Sequence, residues 1–159
     1  MTGSSGAPIS SISSPAPLAV WRRFLEAHAR VVGALEAEFA AARGLPLAWY
    51  EVLVSLHESP GERLRMQDLA RRVLCSRSGL TRLVDRMVDA GYVTREACPD
   101  DRRGTFAVLA PAGAQCVRDA HGVHLRGVQD HFARHLDAAD VAALDVALGK
   151  ILAAETGDD

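Results

Sequence analysis

Arg77, Ser78, Thr81 and Arg82 share one side of a segment, and Leu80, Leu83, Val84, Met87 and Val88 line the other at helical spacing. Guanidinium groups pair with phosphate oxygens or with the edge of guanine, and hydroxyls reach phosphates. The polar side turns acidic at Asp85 and Asp89, so the cations are confined to the first half of the helix. A helix made only for solubility has no reason to sort its charges in this way. Further on, Asp101-Arg102-Arg103-Gly104 places two more guanidinium groups at a turn. Cations on a helix and on a nearby turn suit two adjacent furrows of a double helix, and the pattern implies duplex DNA as partner.

The elements that must position these groups follow from the flanking pattern. MQDLARRV, a short break, and Arg77–Ala90 read as helix, turn and helix, with Ser76 as N-cap and Gly91 just past the end. Tyr92–Ala97 and Thr105–Leu109 read as two strands of a hairpin whose tip carries Asp101, Arg102 and Arg103. Before this unit, Leu18, Trp21, Leu25, His28, Val32, Leu35 and Phe39 recur at alternating steps of three and four, the pattern of a helix packed lengthwise on a partner. That helix is expected to stop near Gly44, with a second over Leu47–His57 ended by Ser59-Pro60-Gly61. After the hairpin, Ala112–Leu136 and Ala138–Ala154 read as two further helices.

The expected fold class is mainly α with a small β-hairpin wing: a winged helix-turn-helix flanked by N- and C-terminal dimerisation helices. Residues 1–16, rich in Ser, Gly and Pro, are expected to be a disordered tail, and 17–46 a dimerisation helix. Residues 47–110 would form the DNA-binding lobe and 111–159 the C-terminal dimerisation helices. Apolar stripes this long on a short chain are hard to bury within one subunit. A homodimer would cover them and present two reading helices to two half-sites.

Charge supports this division. The whole chain carries a net charge of −2, but residues 63–103 hold ten arginines against six carboxylates, a local +4 that leaves −6 elsewhere. Seventeen of the eighteen basic residues are arginine, which coding bias explains as well as phosphate binding does. No apolar run reaches membrane-spanning length, no secretory leader is apparent, and a cytoplasmic protein is expected. Cys75, Cys98 and Cys116 lack metal-finger spacing, so reduced thiols are expected. No P-loop, G-x-S-x-G or H-E-x-x-H motif occurs, so no enzymatic activity and no cofactor are expected.

The run Leu80-Thr81-Arg82-Leu83-Val84-Asp85-Arg86, through Gly91-Tyr92-Val93 to Pro99-Asp100-Asp101-Arg102-Arg103-Gly104, resembles the MarR family of bacterial transcriptional regulators. The resemblance is close over about Leu47 to Gly113. It departs at Leu109-Ala110-Pro111, where the family usually has Leu-Thr. It implies that Ser76, Arg77, Ser78, Thr81 and Arg82 sit at the start of a recognition helix in the major groove. Arg103 would enter the minor groove and Asp101 would hold it, beside Arg102. Arg86 would contact the wing or the phosphate backbone. The resemblance further implies a repressor that leaves its pseudo-palindromic operator when a small lipophilic or phenolic effector binds.

Candidates for an effector site are His28, polar within the apolar stripe of the first helix, with Trp21, Trp49 and His57. Each has a plainer reading as core or surface. His121, His124, His131 and His135 fall within an arc of about 80° on the fifth helix. The i, i+3 and i, i+4 spacings can chelate a metal, but a helix flank used for packing is the default. A thiol- or metal-responsive regulator, and a winged-helix protein-interaction module that does not read DNA, are the alternatives.

Overall fold

The computed structural model describes residues 15–73, 76–98 and 101–155, with the side chains of residues 15, 43, 101–103 and 155 excepted. Helix α1 spans Pro15–Arg43 and α2 spans Leu47–His57. Strand β1 (Arg63–Arg65) leads directly into α3 (Met66–Arg72), followed by α4 (Arg77–Asp89). Strands β2 (Val93–Cys98) and β3 (Asp101–Leu109) come next, then α5 (Pro111–His131) and α6 (Ala138–Glu155).

The helix termini have local causes. The Gly79 amide donates to the Ser76 hydroxyl at 3.1 Å, capping α4 as the sequence predicts. At the other end Gly91 takes φ +79°, which only glycine adopts without cost, while the Gly91 and Tyr92 amides donate back to Val88 and Met87 carbonyls. At α6, Asp137 accepts from the Ala139 and Asp140 amides at 2.8 Å, and Asp140 accepts from the Asp137 amide at 3.1 Å. This reciprocal cap starts α6, whereas α5 does not run on to Leu136 as expected because Phe132 leaves helical geometry at φ −130°, ψ −67°. Helix α5 ends at His131, and a tight turn over Ala133–His135 separates it from α6.

The wing differs from the expected hairpin by one strand. The sheet order is β1-β3-β2, all antiparallel, with Arg65 opposite Phe106 and Leu64 opposite Ala107. On the other side β3 pairs with β2, setting Val93 opposite Leu109 and Glu96 opposite Phe106. The register shifts between Ala97 and Cys98, where the strands approach the tip.

Two apolar clusters hold the chain together. One joins Leu53 and Leu56 of α2, Leu69 of α3, Leu80, Val84 and Met87 of α4, and Val93 and Ala107 of the sheet. The other joins Leu35 and Phe39 of α1 with Leu47 and Tyr50 of α2 and Ala120 of α5. Helices α2 and α5 contribute to both, so they couple the wing lobe to α1.

The long stripe of α1 divides at its middle. Leu35 and Phe39 are buried, whereas Leu18, Trp21 and Leu25 remain exposed, as does Phe24 between them. Every described residue of α6 is exposed as well, including Val141, Leu144, Leu148 and Ile151. A helix this apolar needs a cover that the described residues of the single chain do not supply. None of the helices, among the described residues, is long and apolar enough to cross a membrane.

Candidate nucleic-acid interface

Helix α4 buries Leu80, Leu83, Val84 and Met87 and turns Arg77, Ser78, Thr81, Arg82 and Arg86 outward. Its cap at Ser76 spends the hydroxyl on the helix rather than leaving it to a ligand alone. The Thr81 hydroxyl donates to the Arg77 carbonyl at 2.9 Å, and Arg82 Nε lies 3.5 Å from the Ser78 carbonyl. These bonds order the polar face along the helix axis. Both long cations keep their charged ends at the surface.

The wing is tied to this helix by a residue that the sequence did not single out. Arg95 of β2 donates to Asp85 at 2.7 Å and approaches the Thr81 carbonyl at 3.4 Å. Arg86, expected to contact the wing or the phosphate backbone, is exposed and makes no wing contact among the described residues. The backbone of Asp101 pairs with Cys98 at the start of β3. The side chains of Asp101, Arg102 and Arg103, on which the minor-groove expectation rests, lie outside the described residues.

Between β1, the start of α4 and β3 there is a cleft of about 330 Å³ lined by Arg65, Gln67, Arg77, Thr81, Gly104 and Thr105. Arg65 and Arg63 stand on the same face of the sheet, with their guanidinium carbons 5.7 and 4.9 Å from the centre of the Phe106 ring. Glu96 meets Arg63 at 3.5 Å. The only sequence trace of this arrangement is Arg63-Leu64-Arg65, two cations flanking one apolar residue at the period of a strand. Behind the interface, Arg72 donates to the Ser55 carbonyl at 3.0 Å and to the Ser59 hydroxyl at 2.6 Å, which fastens α3 to the end of α2.

The MarR family's sequence profile matches residues 43–104 of this chain. AbsC, a MarR family transcriptional regulator from Streptomyces coelicolor, is 37% identical. Its crystal structure superposes with a TM-score of 0.83 over 91% of this chain and 97% of its own. The chain belongs to the MarR family.

Sco3205, a MarR family regulator of the same organism crystallised in complex with DNA, is 32% identical with a TM-score of 0.81, covering 87% of each chain. The multiple antibiotic resistance protein MarR of Escherichia coli K12 is 34% identical over 73 residues, 46% of this chain. That alignment spans about half, 51%, of the length of the Escherichia coli protein.

In this MarR-family chain the four effector candidates do not form one cluster. Trp21 stacks on Phe24 at 5.9 Å and Phe24 meets His28 at 6.3 Å, all on the exposed half of α1. Trp49 packs edge-on against Tyr92 at 5.7 Å, at the border of the two cores. His57 bonds Glu62 at 2.8 Å on the surface.

The histidines of α5 are used in packing. Tyr50 Oη and His121 Nδ1 are 3.2 Å apart, and His124 lies against the rings of Tyr50 and Phe39. Burial holds the His124 imidazole below its ordinary pKa, and the neighbouring His121 adds to the effect. Its Nδ1 is buried and has no hydrogen-bond partner among the described residues. Burial likewise raises the Tyr50 phenol, with Glu58 adding to it. His131 bonds Glu38 of α1 at 2.7 Å, and His135 falls in the turn beyond α5. Among the described residues no three His, Cys, Asp or Glu side chains gather as a metal site. Cys98 is buried, Cys116 is partly so, and Cys75 lies outside the described residues.

Proposed function

We propose that this chain is a homodimeric, sequence-specific DNA-binding regulator of transcription that acts as a repressor on a pseudo-palindromic operator. The observation that carries this reading is α4: its buried face is wholly apolar and its outward face is cationic over the first two turns, beside a wing that Arg95 ties to it. The DNA complex of Sco3205, a relative matched along most of its length, supports the same partner. Ser76, Arg77, Ser78, Thr81 and Arg82 enter the major groove, and Arg86 reaches the flanking backbone. Arg103, held by Asp101 and beside Arg102, enters the minor groove, where narrow geometry favours arginine.

The uncovered apolar residues of α1 and α6 support a second copy of the chain as their cover. Two-fold symmetry then sets the two reading helices about 34–36 Å apart, one turn of duplex. Residues 17–46 and 111–159 serve as the dimerisation frame, and 47–110 as the reading lobe. A small lipophilic or phenolic effector lowers operator affinity by binding the two arrangements of the lobes unequally. Trp21, His28, Trp49 and His57 remain its proposed contacts, the first two within reach of the uncovered α1 face.

Selection of bound sequences from a random duplex pool tests the proposal. A two-fold symmetric motif is the expected result, and Arg77→Ala or Arg82→Ala should relax preference at single positions in each half-site by about 1–3 kcal/mol. Recovery of no common motif at low ionic strength would overturn the reading.

A further inference from the structure

We propose that Arg95 is a positioning residue: by gripping Asp85 and the Thr81 carbonyl of α4, it fixes the angle between the recognition helix and the wing, and so the offset at which the two enter adjacent grooves. The inference deepens the reading of α4 and the wing as the DNA interface and rests on it. The role needs no contact between Arg95 and the DNA.

The acid is the first observation. Asp85 stands exposed on the outward side of α4, one turn beyond Thr81, and a lone carboxylate there would repel the phosphates that the arginines attract. Its use is the ion pair: Arg95 Nη2 donates to Asp85 Oδ1 at 2.7 Å. The same nitrogen approaches the Thr81 carbonyl oxygen at 3.4 Å, so one guanidinium spans two acceptors four residues apart on one face of the helix. A roll of α4 about its axis would break both contacts.

The second observation is where Arg95 leaves the sheet. Val93 and Arg95 are two residues apart on β2 and project to one face, with Leu109 and Ala107 opposite them on β3. Val93 and Ala107 are buried in the core with Leu80, Val84 and Met87 of α4, which fixes the base of the wing. Arg95 grips the flank of the same helix one step nearer the tip.

The lever arm gives the consequence. From Val93 to Cys98, β2 extends by five residues, or about 17 Å. A swing of about 15° about the base would carry the tip by about 4 Å, more than the roughly 3.4 Å between successive phosphates along the helix axis. Attachment at a second point resists that swing. The Arg95 and Asp85 side chains are 30% and 56% exposed, so the pair adds little to stability and its removal leaves the fold standing.

The experiment uses the full-length protein, a selected operator duplex and a random duplex pool. Arg95→Ala and Asp85→Ala should each weaken operator binding roughly three- to tenfold, as residues that alter coupling without touching a ligand do. The double variant should bind no more weakly than either single one, because both remove the same tie. Charge alone would make Asp85→Ala bind DNA more tightly, so weakening is the sign of a geometric role. Arg95→Gln, which keeps a donor without the charge, should fall between wild type and Arg95→Ala. In selection from the pool, Arg95→Ala should keep the preferences read by α4 and lose those at the flanking positions under the wing. All variants should melt within about 4 °C of wild type. Arg95→Ala with a salt slope lower by about 0.9, beside Asp85→Ala at wild-type affinity or tighter, makes Arg95 a phosphate contact and overturns the proposal. Additive single effects, or flanking preferences that survive in Arg95→Ala, overturn it too. Failure of the wild type to prefer any duplex overturns the DNA reading instead.

Discussion

Alanine substitution of Leu144 and Ile151 in α6 is the sharpest test of the homodimer, because its cost follows from surface that the described residues of the single chain leave uncovered. Val141, Leu144, Leu148 and Ile151 recur at steps of three and four along one side of the helix. Leu144 is 37% exposed and Ile151 is 59% exposed, together about one whole aliphatic side chain, or roughly 1.5–3 kcal/mol of transfer free energy. Replacing both by alanine keeps the Cβ methyl groups, so about 1–2 kcal/mol is lost per protomer. Two-fold symmetry doubles that figure to about 2–4 kcal/mol, which is a roughly 30- to 700-fold rise in the dimer dissociation constant. Sedimentation velocity over a dilution series measures it directly, with far-ultraviolet circular dichroism showing that the helices persist. In gel-shift titrations the double variant should occupy half-sites at higher concentration and lose the simultaneous binding of both. A dissociation constant within threefold of wild type would remove α6 from the interface and refute the burial argument.

Other outcomes follow from single residues. Gly113→Ala places a Cβ against the Tyr92 carbonyl oxygen, a backbone atom that cannot swing away, and against Leu109 and Leu53. It should cost about 2–3 kcal/mol and lower the melting temperature by roughly 4–12 °C; an unchanged melting curve refutes the close approach. His124 has a folded pKa below its unfolded value, so the unfolded chain takes up a proton first as pH falls below about 6.5. Stability should therefore decline between pH 6.5 and the lower folded pKa, by less than about 1.4 kcal/mol per pH unit because the ring is only partly buried. His124→Phe should flatten that decline in urea titrations, and equal slopes for both proteins count against the site. Arg103→Ala should weaken operator binding and reduce the salt slope by roughly one, with unaltered values contradicting the wing assignment.

Features set by local chemistry were readable before the fold was known. The two faces of α4, its serine cap and its glycine terminus depend only on residues within one or two turns, and the structure has them where the sequence predicts. The end of α5 was misplaced because helical periodicity continues through Phe132, while the reciprocal Asp137–Asp140 cap that restarts the chain is a short-range signal easily passed over. Strand β1 is illegible in the sequence for another reason. Three residues carry too little pattern, and Arg63-Leu64-Arg65 becomes a strand only because β3 offers an unpaired edge.

Pairings between distant segments were beyond the sequence. Asp85 reads as a solvated acid at the end of a basic face, yet it is the anchor of Arg95 from β2, the next element in the chain. Four histidines in one arc fit packing or chelation equally in spacing, and only the fold shows three of them facing different partners: Tyr50, the Phe39–Tyr50 rings and Glu38.

The class of the molecule is legible in the chain, because amphipathic period, caps and charge sorting are properties of neighbouring residues. Tertiary structure alone decided which arginines brace the fold and which face outward, and where α1 stops being core. Those outcomes depend on distances between segments far apart in the chain, which no local pattern encodes.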